Sequence, residues 1–211
     1  MEFSEVLKAR KSRRWYQDKP VQEETIKKIL EWASLSPSFM NNQPWEVAVV
    51  TGQKLKEVAE LMDKRYKEKK STHSISWDIN WPERQREIFE KKKKEANTER
   101  ILPEDPLGIW MYNAPAVLLI HIHRDLNEWA LFDIGLFAQT LMLSATAMGV
   151  NTVPQARMGN DNEEVAEILG LGKERRIIMG VTMGYADETH SNNRYRSPRQ
   201  DFSEWTTWHN G

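Results

Sequence analysis

WALFDIGLFAQTLMLSATAM, residues 129–148, sets the architecture of this chain, because it is apolar almost without interruption. A helix built from it would show apolar side chains on nearly every face, and such helices are buried. Gly149 marks its end. In a chain of 211 residues, this helix is expected either at the centre of a single domain or across an interface between two subunits. The pattern leaves both possibilities open.

The segments around this helix predict a mixed fold with one sheet. Continuous or alternating apolar runs predict strands at residues 46–51, 116–123, 151–154 and 177–185. Apolar spacing and stop signals predict helices near residues 3–7, between Pro20 and Pro37, at 55–62 and at 163–169. No repeat and no break in composition divides the chain. Residues 1–211 therefore form a single predicted domain.

Residues 64–107 differ from the rest of the chain. They are charged, rich in lysine and poor in aliphatic side chains, and they include Trp77, Trp81 and Phe89. We interpret this stretch as an excursion from the core, with a solvated helix from about residue 82 to residue 100. The aromatic side chains indicate that the excursion docks on the body.

The composition excludes several classes of function. The chain has no cysteine, which rules out disulfides, thiolate metal sites and a cysteine nucleophile. A formal net charge of −1 gives no global electrostatic basis for binding nucleic acid or membrane. Even the best candidate for a membrane span, residues 131–150, is interrupted by Asp133, Gln139 and Thr140. We expect a cytoplasmic protein that binds neither nucleic acid nor membrane.

Most familiar catalytic signatures do not occur in the sequence. It has no GxGxxG, Walker A, HExxH or GxSxG pattern. His121 and His123 share one side of a predicted strand, which suits metal ligands, but no carboxylate is suitably spaced to serve as a third. We therefore predict no metal site and interpret them as paired strand histidines.

Two polar segments could carry chemistry. Residues 10–14, RKSRR, place four cations and a hydroxyl just after a helix, and charge-assisted donors of this kind suit a phosphate monoester. A solvated surface patch explains the same residues. Residues 36–45, SPSFMNNQPW, form a polar loop held by two prolines before a strand. Its amides and hydroxyls suit the edge of a heterocycle, and equally a turn that bonds its own backbone.

Together, these segments resemble the nitroreductase family of flavoproteins. The motifs are R-x-S-x-R at Arg10, Ser12 and Arg14; P-S-x-x-N-x-Q-P-W from Pro37 to Trp45; a long helix from Asp133 to Gly149 followed by Val153-Pro154-Gln155-Ala156; and Gly184-Tyr185 followed by Pro198-Arg199. They appear in the family's order. The resemblance covers the chain except residues 64–107.

The resemblance implies an FMN site. Arg10, Lys11, Ser12 and Arg199 would hold the FMN phosphate and ribityl chain. Arg14 would lie toward N1 and O2 of the flavin, where a cation stabilises the reduced ring. The partner subunit would supply Pro37, Ser38, Phe39 and Asn41. Pro154, Gln155 and Ala156 would pass the ring edge, with the backbone N–H of Ala156 or Arg157 at N5.

The resemblance also implies a fold and a reaction. The fold is α+β, with a central, mostly antiparallel sheet flanked by helices. The long apolar helix would lie at the core of a homodimer, and the C-terminal tail would extend over the partner. The reaction is ping-pong: NADH or NADPH delivers hydride to N5, and a small nitroaromatic or quinone-like acceptor is then reduced. No catalytic side chain and no metal are required.

The excursion remains the main open point of the resemblance. Asn80-Trp81-Pro82-Glu83 resembles a subgroup associated with reduction of nitrobenzoates, in which Trp77 and Trp81 would belong to a lid that stacks on an aromatic substrate. The same tryptophans equally suit pinning the excursion to the body. Alternatives are another branch of the fold, such as a reductive dehalogenase or a flavin-fragmenting enzyme, a flavin-binding protein without turnover, or an interaction module on residues 82–102.

Overall fold

In the computed structural model, the described part of the chain comprises residues 2–68, 70, 75, 79–96 (backbone alone at 92–96), 105–159 and 163–210. The helices are α1 (Phe3–Ala9), α2 (Glu23–Ala33), α3 (Gly52–Lys67), α4 (Glu83–Ala96), α5 (Pro106–Met111), α6 (Glu128–Ala147) and α7 (Glu163–Ile168). The strands are β1 (Glu46–Thr51), β2 (Ala116–His123), β3 (Asn151–Gln155) and β4 (Arg175–Gly184). The expected α+β class is confirmed.

The four strands form one antiparallel sheet in the order β1-β2-β4-β3. β2 is buried over most of its length because both faces of the sheet are covered. Leu118 and Ile120 face a core shared with α2 and α6, whereas Val117 and Leu119 face one shared with α3 and α5. The alternation of side chains along a strand produces this division. The sheet edge at β3 remains available to the segment that follows α1.

α6 begins as its sequence predicts, with Asn127 Oδ1 accepting a hydrogen bond from the Trp129 N–H at 3.2 Å. Within one chain it is buried on one side only, so both the central and the interface position expected from its composition stay open. Trp129 is 54% exposed and Phe132 61% exposed. α6 is also long and apolar enough to span a membrane, with half of its most apolar 18-residue window buried. Its buried side belongs to the core that includes Phe137, which stacks on Trp45 with ring centroids 4.9 Å apart.

The boundaries of the excursion differ from those expected. α3 begins at Gly52, whose φ of +57° suits glycine, and continues to Lys67, so residues 64–67 belong to the body. α5 was not predicted, because Pro106–Met111 is too short to show a helical period. α4 covers Glu83–Ala96 of the solvated helix predicted at residues 82–100. The last four residues of that prediction lie outside the described part.

Candidate functional site

The cationic segment after α1 runs beside the edge strand β3. Ser12 forms a parallel bridge with Thr152, and the Arg13 N–H donates to the Thr152 carbonyl at 3.1 Å. Four residues further on, Tyr16 forms an antiparallel bridge with Ala186. The segment therefore has a fixed backbone position along β3.

The C-terminal tail supplies the opposite wall of a small cavity. The residues that line it are Arg10, Lys11, Ser12, Arg14, Tyr195, Arg196, Ser197 and Arg199. Five of them are cations, and no carboxylate is among them. The fold thus brings Arg199 to the segment 10–14 from the far end of the chain. The arrangement suits a ligand that carries more than one negative charge.

Electrostatics in the cavity favour an anion. The pKa of Arg10 is lowered by burial and then by the neighbouring Arg199 and Arg196. The pKa of Lys11 is lowered by burial and by Arg13, with Glu188 acting in the opposite direction. These cations are therefore held where their charged forms are disfavoured. A bound phosphate would relieve both effects, because opposite charge stabilises the charged form.

Tyr195 is a cavity residue that the sequence did not single out. Its hydroxyl is buried and has no hydrogen-bond partner among the described residues. A buried polar group without a partner costs free energy, and a ligand oxygen in this cavity is one way to satisfy it. No sequence signal marks a lone tyrosine in a polar tail, so only the fold reveals it.

The end of β3 presents alternate residues to opposite sides. Pro154 is half-buried and Ala156 is exposed, whereas Gln155 is buried. The Gln155 amide donates to the Trp110 carbonyl at 3.0 Å, and its oxygen accepts from Arg157 Nε at 2.9 Å. The side chain of Gln155 thus fixes β3 to α5. A ligand at this edge would contact the backbone of Gln155 and the neighbouring residues Pro154 and Ala156.

Arg157 secures the turn that follows. Its guanidinium lies 5.0 Å from the Trp110 ring centroid and 5.3 Å from that of Tyr112, and it donates to the carbonyls of Ile109 and Trp110. Cation–π and hydrogen-bond contacts together leave this turn little freedom.

The polar loop at residues 36–45 is strained and anchored on α6. Met40, Asn41 and Gln43 have φ of 49°, 56° and 45°, in the left-handed region. The Phe39 N–H donates to both carboxylate oxygens of buried Asp133, at 3.0 and 3.2 Å. The loop therefore holds a conformation set by contacts rather than by local preference.

Side chains within the loop bond to one another. The Gln43 N–H donates to Ser38 Oγ at 3.0 Å, and Gln43 Nε2 donates to Asn41 Oδ1 at 3.2 Å. Pro37, Ser38, Phe39 and Asn41 do not line the cationic cavity of their own chain, as far as the chain is described. The cavity of one chain therefore contains only one of the two sets of predicted site residues.

The described part of the excursion touches the tail. Trp81 stacks on Phe89 of α4 with ring centroids 6.1 Å apart, and Arg84 Nη2 donates to the Glu204 carbonyl at 3.0 Å. The excursion thus contacts the tail through Arg84, whereas Trp81 and Phe89 contact each other, and docking through the aromatic side chains stays a prediction. Trp77 lies outside the described residues.

The strand histidines do not form a metal centre in the described part of the chain, where no three of His, Asp and Glu converge. His121 is buried, with Nδ1 3.8 Å from Glu46 Oε2, and Glu46 pairs with Arg175 at 2.8 Å. Burial lowers the pKa of His121, an effect that Glu46 opposes. These contacts account for a buried strand histidine without a role in metal binding among the described residues.

Fold and cavity together define a class of α+β protein with an anion site between the N-terminal segment, the edge of an antiparallel sheet and the C-terminal tail. A profile of the nitroreductase family matches residues 7–185. The chain therefore belongs to the nitroreductase family.

Named relatives match along most of their length. A 4-nitrobenzoate reductase of Pseudomonas putida is 28% identical, over 94% of this chain and 92% of the relative. Nitroreductase NfnB of Mycolicibacterium smegmatis is 29% identical, over 95% and 90%. A crystal structure of the FMN-dependent NfnB from Mycobacterium smegmatis in complex with NADPH superimposes with a TM-score of 0.88, at 29% identity and over 98% and 97% of the two chains.

Proposed function

We propose that this chain is a cytoplasmic FMN-dependent oxidoreductase that carries electrons from NADH or NADPH to small nitroaromatic or quinone-like acceptors. The observation that carries the proposal is the cationic cavity. It unites Arg10, Lys11, Ser12 and Arg14 with Arg199, the residues that the family resemblance assigns to FMN. The crystal structure of NfnB, an FMN-dependent relative with NADPH bound, supports the same cofactor and donor here.

The residues present fit the phosphate of FMN. Cations with lowered pKa values, the Ser12 hydroxyl and the Tyr195 hydroxyl, which has no partner among the described residues, together provide charge-assisted and neutral donors. Arg10, Lys11, Ser12 and Arg199 would hold the phosphate and ribityl chain. Because Ser12 bridges Thr152 of β3, a ligand anchored there would extend along this edge strand.

The end of β3 would then pass the edge of the flavin ring. Pro154 and Ala156 are the accessible residues of this stretch, and the clamp on Arg157 fixes the turn. The backbone N–H of Ala156 or Arg157 would lie at N5. Arg14 would stand toward N1 and O2, where its charge favours the reduced ring.

We infer that the functional unit is a homodimer with FMN at the subunit interface. The cavity of one chain is not lined by Pro37, Ser38, Phe39 or Asn41, as far as the chain is described, and a partner's loop would complete the site. The exposed face of α6 is continuous with this loop through Phe39, which stacks on Trp129 at 5.1 Å. Exposed aromatic groups of the tail, Phe202, Trp205 and Trp208, would contact the partner.

Bound FMN would supply the redox chemistry, taking up electrons from the nicotinamide in one half-reaction and passing them to the acceptor in a second, which is a ping-pong scheme. The chain's own residues would hold the phosphate, fix the ring edge and exclude water. None of these roles needs a nucleophilic side chain or a metal.

Nitroaromatic acceptors are supported by the relatives named as 4-nitrobenzoate reductases. A lid over the site would select among acceptors, and Trp81, which is partly exposed beside Phe89, is the described residue suited to stack on an aromatic ring. Trp77 would act with it.

Visible absorbance of the purified protein, under anaerobic conditions and before and after NADH or NADPH, tests the proposal. We expect a flavin spectrum that bleaches with a nicotinamide donor and recovers on addition of 4-nitrobenzoate or a quinone. Failure to take up added FMN would overturn the proposal. Flavin that binds but resists both donors would identify a binding protein, and reduced flavin that reacts only with other acceptors would identify another branch of the family.

A further inference from the structure

Asn193 connects the tail to the cationic segment through both its side chain and its backbone. Its amide nitrogen donates to the carbonyls of Trp15 at 2.7 Å and Asp187 at 2.8 Å, and its amide oxygen accepts from the Arg14 N–H at 2.7 Å. Asn193 is only 1% exposed. The amide of Asn193 thus donates two hydrogen bonds and accepts one. Because the side chain is buried, water cannot easily replace any of these bonds.

The backbone of Asn193 holds the side chains of the same segment. Its carbonyl accepts from Lys11 Nζ at 2.8 Å and from Arg13 Nη1 at 3.5 Å. One residue therefore restrains both the backbone at Arg14 and the charged group of Lys11. On its other side, the segment is fixed by the bridge between Ser12 and Thr152.

These restraints oppose a specific force. Neighbouring cations repel one another, and the salt bridge of Arg13 with Glu188 and the carbonyl of Asn193 offset only part of that charge, so a loose segment would spread its side chains into water. The aromatic neighbour Trp15 is also fixed, since its ring stacks on His190 with centroids 4.2 Å apart. Asn193 thus connects the tail to the segment 10–14 and opposes the charge repulsion that would move the cations of this segment apart.

We propose that Asn193 is a positioning residue that arranges the cations of the segment 10–14 for the FMN phosphate before the cofactor binds. The inference rests on the proposed function, because it concerns the same site. Preorganised donors bind more tightly than donors that must first be ordered. Asn193 itself is expected to touch neither the flavin ring nor the acceptor.

The test compares FMN with riboflavin, which has the same ring and ribityl chain but no phosphate. Dissociation constants for both are measured on the flavin-free protein by fluorescence titration, for the wild type and for Asn193→Ala. The variant loses the side-chain bonds to the Arg14 N–H and the Trp15 carbonyl, which would loosen the segment. We expect the preference for FMN over riboflavin to fall about tenfold, the worth of roughly one charge-assisted bond to the phosphate. An unchanged preference in a folded variant would overturn the inference.

A control separates positioning from general loss of stability. Val58→Ala creates a cavity in the core on the other face of the sheet, far from the tail. Its loss of stability should weaken FMN and riboflavin alike and leave their ratio unchanged. Asn193→Ser, which replaces the amide with a smaller polar group, provides a milder second variant and should reduce the ratio in the same direction.

Hydrogen exchange of the wild type tests the inference without any substitution. We expect the Arg14 amide hydrogen to exchange slowly in the flavin-free protein. Fast exchange that becomes slow only with FMN would show that the ligand orders the segment, and would overturn the inference while the proposed function stands. Absence of FMN binding by the wild type would instead overturn the proposed function.

Discussion

Arg10 lies at the point where burial and charge repulsion coincide. Its pKa is lowered by burial, and Arg199 and Arg196 add to the effect. Such a group gains most from an opposite charge, because the ligand removes a penalty as well as forming a bond. Its counterpart Lys11 has the same character. Binding of a phosphate is therefore expected to depend on each of these cations.

Replacing Arg10 with alanine should weaken FMN binding about tenfold or more, because hydrogen bonds to charged groups contribute about 1.5–3 kcal/mol. The measurement is the FMN dissociation constant of the flavin-free protein. Lys8→Ala, which removes an exposed cation of α1 that does not line the cavity, is the matched control. Equal affinities for Arg10→Ala and the wild type would argue against the phosphate assignment.

His121 gives a prediction about pH. Burial lowers its pKa, and the side chain faces Glu46, which is paired with Arg175. The unfolded chain therefore binds a proton at this histidine more readily than the folded protein does. Its contribution to stability is present above the ordinary histidine pKa of about 6.5 and is lost as the pH falls below it.

The urea midpoint of the wild type should accordingly drop between about pH 7.5 and about pH 5.5, and His121→Gln should make that drop smaller. His123→Gln is the control, because it leaves the buried imidazole in place. Parallel pH profiles for the wild type and His121→Gln would contradict the prediction.

Among the secondary-structure elements, α6 has the largest consequence. One side packs on the sheet, and the other presents Trp129 and Phe132 beside the polar loop. Phe132→Asp would place a charge in the proposed dimer interface, where an unpaired charge is costly to bury. We expect subunits that separate at micromolar concentration and lose FMN, measured by light scattering and flavin absorbance.

Gln53→Asp adds the same charge to an exposed position of α3, on the opposite side of the sheet, and should leave the assembly unchanged. A dimer that persists in Phe132→Asp with wild-type FMN content would place the interface elsewhere.

The sequence predicted elements well where the pattern was long or strongly apolar. β1 and β2 have the bounds expected, and α6 differs by one residue at each end. The exposed side of α6 was not predictable, since an all-round apolar helix has no period to mark which side lacks a neighbour. α5 escaped prediction because it is shorter than two turns.

The site was predictable in part. The structure brings Arg10, Lys11, Ser12 and Arg14 to Arg199 in one cavity, and their assignment to FMN stays a prediction. Asn193 and Tyr195 could not be found, because their importance depends on burial and on bonds that connect distant parts of the chain. The residues next to Asn193 and Tyr195 in sequence do not indicate contacts of this long range.

At the scale of the whole molecule, the excursion contacts the tail through the hydrogen bond from Arg84 to the Glu204 carbonyl. If the excursion forms a lid, it would contact the acceptor and leave the contacts around the FMN phosphate unchanged. Replacing both Trp77 and Trp81 with alanine should therefore change the ranking of nitroaromatic and quinone acceptors. Reduction of the flavin by NADH or NADPH should stay close to that of the wild type.

Stopped-flow measurement of the two half-reactions distinguishes these effects. Trp32→Ala, on α2, is the control for loss of an aromatic side chain away from the excursion. If neither half-reaction changes in the double variant, the tryptophans pin the excursion and do not select the acceptor.

Met40 combines a left-handed backbone with 86% exposure, at the tip of the loop that would enter a partner's site. An exposed thioether is readily converted to the sulfoxide by peroxide, whereas a covered one is protected. Mass spectrometry of the peptide that contains it thus offers a chemical footprint of assembly. Rapid oxidation in diluted protein and slow oxidation in concentrated protein would report pairing of subunits directly, without a label or a substitution.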